Sequence, residues 1–180
     1  MANDADEDTI AIEAVDPREP DAVTLIAALT RELAHRYADE DGSGNFMAAD
    51  VLGPRSGFVI ATFGVRPVAC GAYRPLGEDV AEIKRMYVEP EYRRRGLGRR
   101  VLGDLEARAR RDGYAAVRLV TGIAQPEAIH LYESAGYRRI ESYGVYQGNP
   151  WSVCFEKAWE LPRKGEAPAG PEAGPAPIVS

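Results

Sequence analysis

An arginine-rich loop with two glycines is the segment whose residue types most clearly favour a chemical role. Residues 82–88 have the pattern of a strand, a turn containing Pro90 follows, and Arg93 stands three residues before the glycine pair Gly96 and Gly98. A helix pattern begins directly after the loop. Glycine lets backbone N–H groups approach an anion closely, and the first N–H groups of a helix have no partner within the helix. The segment therefore predicts a site for a phosphate or pyrophosphate.

Two other phosphate-binding loops do not match this segment. The dinucleotide fingerprint needs a third glycine, and Val101 occupies that position. The P-loop ends in Gly-Lys-Ser or Gly-Lys-Thr, and the helix here follows no such ending. A domain of the dinucleotide-binding class is therefore disfavoured.

Two motifs carry a resemblance to a known family. Arg93-x-x-Gly96-x-Gly98 resembles the pyrophosphate loop of the GNAT-type N-acetyltransferase superfamily, and residues 82–88 look like that family's strand beside the acetyl donor. Residues 125–137 are similar to the family's other signature, Asn-x-x-Ala-x-x-Leu-Tyr followed by Gly and an aromatic, although Gln125 stands where Asn is usual. The resemblance covers about residues 9–161 and implies an acetyl-CoA-dependent N-acetyltransferase.

The resemblance also implies how acetyl-CoA, as co-substrate, is bound. The pantetheine arm is expected in a gap beside residues 86–88, where backbone groups pair with it. The backbone amides of residues 94–99 are expected to surround the pyrophosphate, and not every arginine side chain needs to face it. The predicted cofactor-binding residues are Met86, Tyr87, Val88, Arg93, Arg94, Arg95, Gly96, Leu97, Gly98, Arg99, Gln125 and Tyr132.

Two residues are predicted to be catalytic. Tyr132 is the Tyr of the Leu-Tyr pair in the second motif. A phenol with a pKa near 10 can hydrogen-bond the departing sulfur and act as general acid. Glu82, on the strand before the loop, is the candidate general base, acting through water. The alternative for Glu82 is a surface strand carboxylate near Lys84 or Arg85.

The acceptor is expected to bind between residues 33–46 and residues 143–151. These segments offer Tyr37, Phe46, Tyr143, Tyr146 and Trp151, together with acidic residues at positions 39–41. Such a rim suits a cationic amine, and a polyamine, an aminoglycoside, a lysine side chain and a protein N-terminus all remain open. A larger acyl donor such as succinyl-CoA also remains open. The alternative to an enzyme is a non-catalytic acyl-CoA-binding sensor with the same fold.

Composition limits the class of protein. The chain has 180 residues, of which 45% are hydrophobic and 28% charged, as expected of one soluble domain. The acidic start, residues 1–8, has no apolar segment after it, which argues against a secretory signal. The net charge is −6 with the positive charge concentrated in residues 93–100, which disfavours nucleic acid as a partner. Cys70 and Cys154 are interpreted as buried reduced thiols.

From these features we expect a cytoplasmic enzyme, monomer or homodimer, that uses a small-molecule or peptide amine. We expect no metal, no nucleic acid and no membrane among its partners.

The order of patterns along the chain predicts the fold. A strand and helix, a hairpin, and then strand–helix–strand–helix–strand predict an α/β fold, with a mixed, mainly antiparallel central sheet of six to seven strands and helices on both faces. The predicted boundaries are a disordered acidic N-terminus over residues 1–8, an N-acetyltransferase domain over 9–161 and a disordered Pro/Gly/Ala-rich tail over 162–180. Asp21 is predicted to cap the first helix, and Tyr137–Tyr143 and Val153–Leu161 to form the last two strands.

Overall fold

The computed structural model describes residues 9–37 and 46–159, and these residues form one seven-stranded sheet with three helices. The two terminal segments predicted to be disordered lie outside the described residues. Within the described ranges, no helix is both long and apolar enough to cross a membrane. The strands are β1 (Ile10–Ala14), β2 (Gly57–Phe63), β3 (Arg66–Pro75), β4 (Val80–Val88), β5 (Ala116–Gly122), β6 (Arg138–Ile140) and β7 (Ser152–Ala158). The helices are α1 (Pro20–Arg36), α2 (Leu97–Arg111) and α3 (Pro126–Ser134).

The strands lie in the order β1-β2-β3-β4-β5-β7-β6, and β4–β5 is the one parallel pair of that sheet. The predicted mixed, mainly antiparallel sheet is confirmed. Both faces of the sheet are buried, because successive side chains of a strand point to opposite faces. On one face, Val101 and Leu105 of α2 pack with Val59 of β2, and on the other, Leu25 of α1 packs with Phe58. The predicted helices on both faces are therefore confirmed as well.

A bulge in β4 opens the sheet. Cys70 of β3 lies opposite Tyr87 and Ala72 lies opposite Lys84, so β4 has one residue more than β3 over this interval. Arg85 takes up the extra length in a left-handed conformation with φ of 54°, and the Cys70 thiol donates to its carbonyl oxygen at 3.3 Å. Strands β4 and β5 are paired only over residues 80–83 and 116–119. Beyond these residues a gap separates the C-terminal ends of the two strands.

Three of the predicted element boundaries differ, and one of them is the end of β7, which lies at Ala158 rather than Leu161. Helix α1 begins at Pro20 after Glu19, so the prediction that Asp21 caps it was wrong. Proline suits the first helical position because it needs no N–H partner there, and Asp21 lies in the first turn, where a carboxylate still favours the helix dipole. Strand β6 ends at Ile140 rather than Tyr143, because the chain then turns through Gly144, whose φ is 55°.

The packing around the bulge can be tested at Gly71 of β3. A Cβ atom there would lie 2.7 Å from Leu105 Cδ1 and 2.9 Å from Met86 Sδ, whereas Gly103, inside α2, has open space. We expect Gly71→Ala to lower the free energy of unfolding by about 1–3 kcal/mol through overpacking. Gly103→Ala should raise it by roughly 0.5–1 kcal/mol through helix propensity. Urea unfolding of both variants measures these changes, and a Gly71→Ala protein as stable as wild type would contradict the described packing.

Candidate active site

The arginine–glycine loop leads into α2 without a capping side chain. Gly96 is the N-cap, with φ of 77°, and no side chain bonds to the first turn of the helix. Arg94, two residues earlier, is also left-handed with φ of 61°. The first N–H groups of α2 therefore have no partner within the helix, and the positive end of the helix dipole adds to their attraction for an anion.

The start of α2 lines a groove of about 700 Å³ that continues along β4 and α3. This volume lies within the roughly 300–1,000 Å³ that is typical of small-molecule sites. All but one of the residues predicted to bind the cofactor line this groove; Arg95 does not. The guanidinium of Arg95 instead lies over the rings of Phe63 and Tyr92, at 5.7 and 5.4 Å from their centroids. A role for Arg95 is thus limited to its backbone, and its binding of the cofactor stays a prediction.

The side chain of Arg93 holds the loop against the rest of the fold. Its Nε donates to the carbonyl oxygen of Val88 at 2.9 Å, and its Nη2 binds the carboxylate of Glu32 on α1. The guanidinium also lies 5.7 Å from the ring centroid of Tyr87. Arg93 therefore connects the loop to the end of β4 and to α1, which is a positioning role.

A second loop arginine reaches across the groove. Arg99 donates from Nη2 to the hydroxyl of Ser134 at 2.6 Å, and from Nη1 to the Ser134 carbonyl at 3.2 Å. This contact joins the first turn of α2 to the last residue of α3. Arg94 lines the same groove and is exposed. The groove thus carries two exposed cationic side chains, Arg94 and Arg99, of which Arg99 is hydrogen-bonded to α3.

Tyr132 of α3 lies where the groove meets a second cavity of about 220 Å³. Its side chain is only 5% exposed, and its ring packs against Tyr137 and Phe155, each at a centroid distance of 5.8 Å. Among the described residues, no group hydrogen-bonds the Tyr132 hydroxyl. Burial raises the pKa of this phenol. Tyr132 therefore brings a protonated phenol, without a partner among the described residues, to the lining that the two cavities share.

Gln125 also lines both cavities. It is the N-cap residue of α3, and its side-chain amide donates to the Tyr37 hydroxyl at 3.3 Å. Gly122 permits this close approach, since a Cβ atom there would lie within 1.7 Å of the Tyr37 oxygen. The departure from the usual Asn thus gives a longer side chain that reaches the end of α1.

Glu82 is buried on β4, with 2% of its surface exposed. Arg74 donates to its Oε2 from Nε at 3.1 Å and from Nη2 at 2.9 Å, and the Tyr143 hydroxyl donates to Oε1 at 3.2 Å. Glu82 lines neither cavity. Its role as a base stays a prediction, and the geometry requires any such role to be indirect.

Lys84 is the polar group that the sequence analysis did not select. Its Nζ donates to the Tyr146 hydroxyl at 2.7 Å and lies 3.8 Å from Glu82 Oε1, and the residue lines the smaller cavity. Burial is the main cause that lowers the pKa of Lys84 to about 8, against the opposing charge of Glu82. The signal that the sequence offered for this residue was a lysine inside a strand pattern rich in apolar residues.

The predicted acceptor rim is partly assembled. Tyr37, Tyr146 and Trp151 line the smaller cavity. Phe46 instead lies beneath the Arg85 guanidinium, at 4.8 Å from its ring centroid, and Tyr143 is bonded to Glu82. The acidic residues at positions 39–41 lie outside the described residues. Across the part of the chain that is described, no cluster of His, Cys, Asp and Glu could hold a metal ion.

The model of one family, the acetyltransferase (GNAT) family, matches residues 22–137, which is more than half of the chain. The chain belongs to the acetyltransferase (GNAT) family. It is 35% identical over 151 residues to a protein of Azospirillum brasilense named IAA acetyltransferase, an alignment covering 83% of this chain and 96% of the relative.

Solved structures agree with this family. A protein of Klebsiella pneumoniae described as an acyl-CoA N-acyltransferase is 30% identical, with a TM-score of 0.69 and coverage of 83% of this chain and 97% of the other. A GNAT family acetyltransferase from Elizabethkingia anophelis, solved with acetyl-CoA bound, has a TM-score of 0.63 at 17% identity, with coverage of 84% and 99%. Because its identity is so low, the likeness to the Elizabethkingia anophelis structure shows the fold alone.

Gly96 offers a test of the anion site in this GNAT family member. Both Asn and Asp tolerate its left-handed conformation, and no atom lies within 4 Å of the position where their Cβ would sit. Gly98 is less suitable, because a Cβ there would lie 3.3 Å from Leu131 Cδ2. We expect Gly96→Asp to weaken CoA binding at least about tenfold relative to Gly96→Asn, because it places a carboxylate beside the phosphates. Calorimetric titration with CoA measures this, and equal affinities of the two folded variants would exclude a phosphate site at the loop.

Proposed function

We propose that the protein is an N-acetyltransferase that transfers an acetyl group from acetyl-CoA to a primary amine by direct attack in a ternary complex. The observation that carries this proposal is the position of the Tyr132 hydroxyl at the junction of the groove and the smaller cavity. One cavity suits the cofactor and the other a small acceptor, so the two substrates would meet beside a phenol.

The groove has the features that CoA requires. Its pyrophosphate would be held by the unpartnered N–H groups at the start of α2, with Arg94 and Arg99 beside them. Its pantetheine arm would lie against residues 86–88, whose side facing β5 takes no part in strand pairing because the two strands have separated. The acetyl-CoA bound to the Elizabethkingia neighbour supports this assignment through the shared fold.

The proposed chemistry follows from this arrangement. The neutral amine attacks the thioester carbonyl carbon, an N–C bond forms, the C–S bond breaks, the amine loses a proton and the sulfur gains one. An unpaired backbone N–H among residues 86–88 would polarise the carbonyl, as an oxyanion donor does. Tyr132 would hydrogen-bond the sulfur as negative charge develops on it and supply its proton. Its raised pKa keeps the phenol protonated at neutral pH.

Glu82 contributes to the proposed reaction indirectly. Its carboxylate accepts from the Tyr143 hydroxyl, so a proton that reaches it from the acceptor must pass through that hydroxyl or a water molecule. We therefore propose that Glu82 acts as a base through a relay and does not contact the amine.

The Tyr132 assignment separates the enzyme from a non-catalytic sensor, which would use the groove without needing a proton donor at its end. Removing one general acid typically lowers the rate by about 10²–10⁴-fold. We therefore expect Tyr132→Phe to lower kcat by this order while leaving the CoA dissociation constant within about twofold. Thiol release from acetyl-CoA across a panel of amines measures kcat, and calorimetry measures CoA binding.

Tyr137→Phe is the matched control for Tyr132→Phe. It removes a hydroxyl from the same aromatic cluster, but that hydroxyl donates to Glu106 at 2.9 Å and lies away from both cavities. It should lower stability and leave kcat unchanged. If Tyr132→Phe retained more than half of the wild-type kcat with chemistry rate-limiting, Tyr132 would be a packing residue.

A further inference from the structure

We propose that the smaller cavity binds an amine that also carries a carboxylate, of the apolar amino-acid type, and that Lys84 binds this carboxylate. The inference rests on the proposed acetyl transfer, because it names the class of acceptor. It narrows the amines that the sequence analysis left open to an amine that also carries a carboxylate.

Lys84 has donors to spare. An ammonium group carries three N–H donors, and among the described residues the one hydrogen bond of Lys84 runs to the Tyr146 hydroxyl at 2.7 Å. Glu82 Oε1, at 3.8 Å, is beyond hydrogen-bond distance and already accepts from Tyr143, while Oε2 is taken by Arg74. The Lys84 side chain is only 13% exposed and the residue lines the cavity, so its two remaining donors are largely shielded from open solvent.

The described walls of the cavity contain no carboxylate. Its polar lining comes from Lys84, Arg85, Thr121, Gln125, Asn149 and Ser152 and from tyrosine hydroxyls. Glu82 and Asp50, the acids of the described residues that act on Lys84, lie outside that lining and are both bound to Arg74. A cavity that presents a buried ammonium and no acid among its described walls favours an anionic group of the ligand.

The rest of the cavity is apolar and small. Leu29 and Leu33 of α1, Val120 of β5 and the ring of Trp151, which is 61% exposed, form its walls. Its volume of about 220 Å³ is below the roughly 300 Å³ at which sites for drug-sized ligands begin. These walls suit an apolar or aromatic side chain on a compact acceptor.

Charged groups on β3, on β4 and in a neighbouring 3-10 turn act on Lys84. Arg74 on β3 and Arg85 on β4 lower its pKa, Glu82 on β4 and Asp50 in the 3-10 turn at Ala48–Val51 raise it, and burial sets the net value near 8. Tyr146, its hydrogen-bond partner, keeps its own proton because burial raises its pKa to about 12. Lys84 is therefore mostly a cation at pH 7 and mostly neutral at pH 9, so carboxylate binding should weaken across this interval.

The experiment compares acceptors in pairs. Each L-amino acid with an apolar or aromatic side chain is assayed beside its α-amide and its decarboxylated amine, with acetyl-CoA saturating and wild type, Lys84→Met and Lys84→Arg as enzymes. We expect wild type to prefer the acid, and Lys84→Met to lose roughly tenfold to a hundredfold in kcat/KM for the acid, mostly through KM, as for a lost hydrogen bond to a charged group. The amide should change little, and Lys84→Arg should recover part of the activity toward the acid.

The pH profile gives an independent readout. For one acid acceptor, the ratio of kcat/KM between wild type and Lys84→Met cancels the ionisation of the acceptor. We expect this ratio to fall toward one as the pH rises through about 8. A ratio that rises with pH would show Lys84 acting as a base, and equal losses for acid and amide would show a structural lysine. Either result overturns the proposal, as does a wild type that does not prefer any acid over its amide.

Failure of the proposal and failure of the enzyme assignment remain distinguishable. If the decarboxylated amines are acetylated and the acids are not preferred, acetyl transfer stands and carboxylate binding by Lys84 is wrong. If no acceptor in the panel is acetylated, calorimetry with N-acetyl-L-phenylalanine and N-acetyl-L-phenylalaninamide in the presence of CoA tests the site directly. Binding of the acid that Lys84→Met abolishes would support the carboxylate site, and equal affinities or no binding would overturn it.

Discussion

The separation of β4 from β5 is the constraint on which the site depends. The extra residue of β4 at Arg85 turns the last part of the strand away from its parallel neighbour, so both strands present unpaired backbone groups at their C-terminal ends. A parallel pair also requires a crossover connection, and here α2 supplies it. Because α2 begins where β4 ends, its N-terminus lies at the mouth of the gap. Helix α3, which follows β5, begins at the same edge and brings Tyr132 to the opposite side.

An ion-pair network holds these elements around the gap. Glu32 of α1 binds Arg93 of the loop and Arg36 one turn further along its own helix, and Arg36 binds Glu127 of α3 and the Ala124 carbonyl. These side chains are partly exposed, so each pair contributes little to stability. Their value is geometric, because three separate elements are joined at a point where the sheet supplies no strand pairing. Of this network, the sequence analysis selected only Arg93, and it expected Arg93 to bind the cofactor.

Local patterns allowed most of the fold to be predicted and only part of the site. The spacing of Gly96 and Gly98 before an amphipathic helix is local in sequence, as is the helix that carries Tyr132, and both were placed correctly. Two partners of Glu82 and Lys84 are not local, because Tyr143 and Tyr146 lie in a turn about 60 residues away. Arg74 comes from the neighbouring strand, eight residues before Glu82. Strand alternation indicates that Glu82 and Lys84 share one face, but only the tertiary structure shows which of them reaches the cavity.

Two opposing effects act on the pKa of Lys84 in the buried pair that it forms with Glu82. Burial alone would favour a neutral lysine, and the Glu82 carboxylate counteracts this by raising the pKa of Lys84 toward its ordinary range. Arg74 in turn binds Glu82, so three charged side chains form a chain beside the smaller cavity. In the proposed ternary complex, the Lys84 cation would also disfavour the ammonium form of an acceptor amine bound beside it, which would make the neutral nucleophile easier to reach. Under that proposal, the carboxylate selected from the sequence as a base would also affect the acceptor through the charge of the lysine beside it.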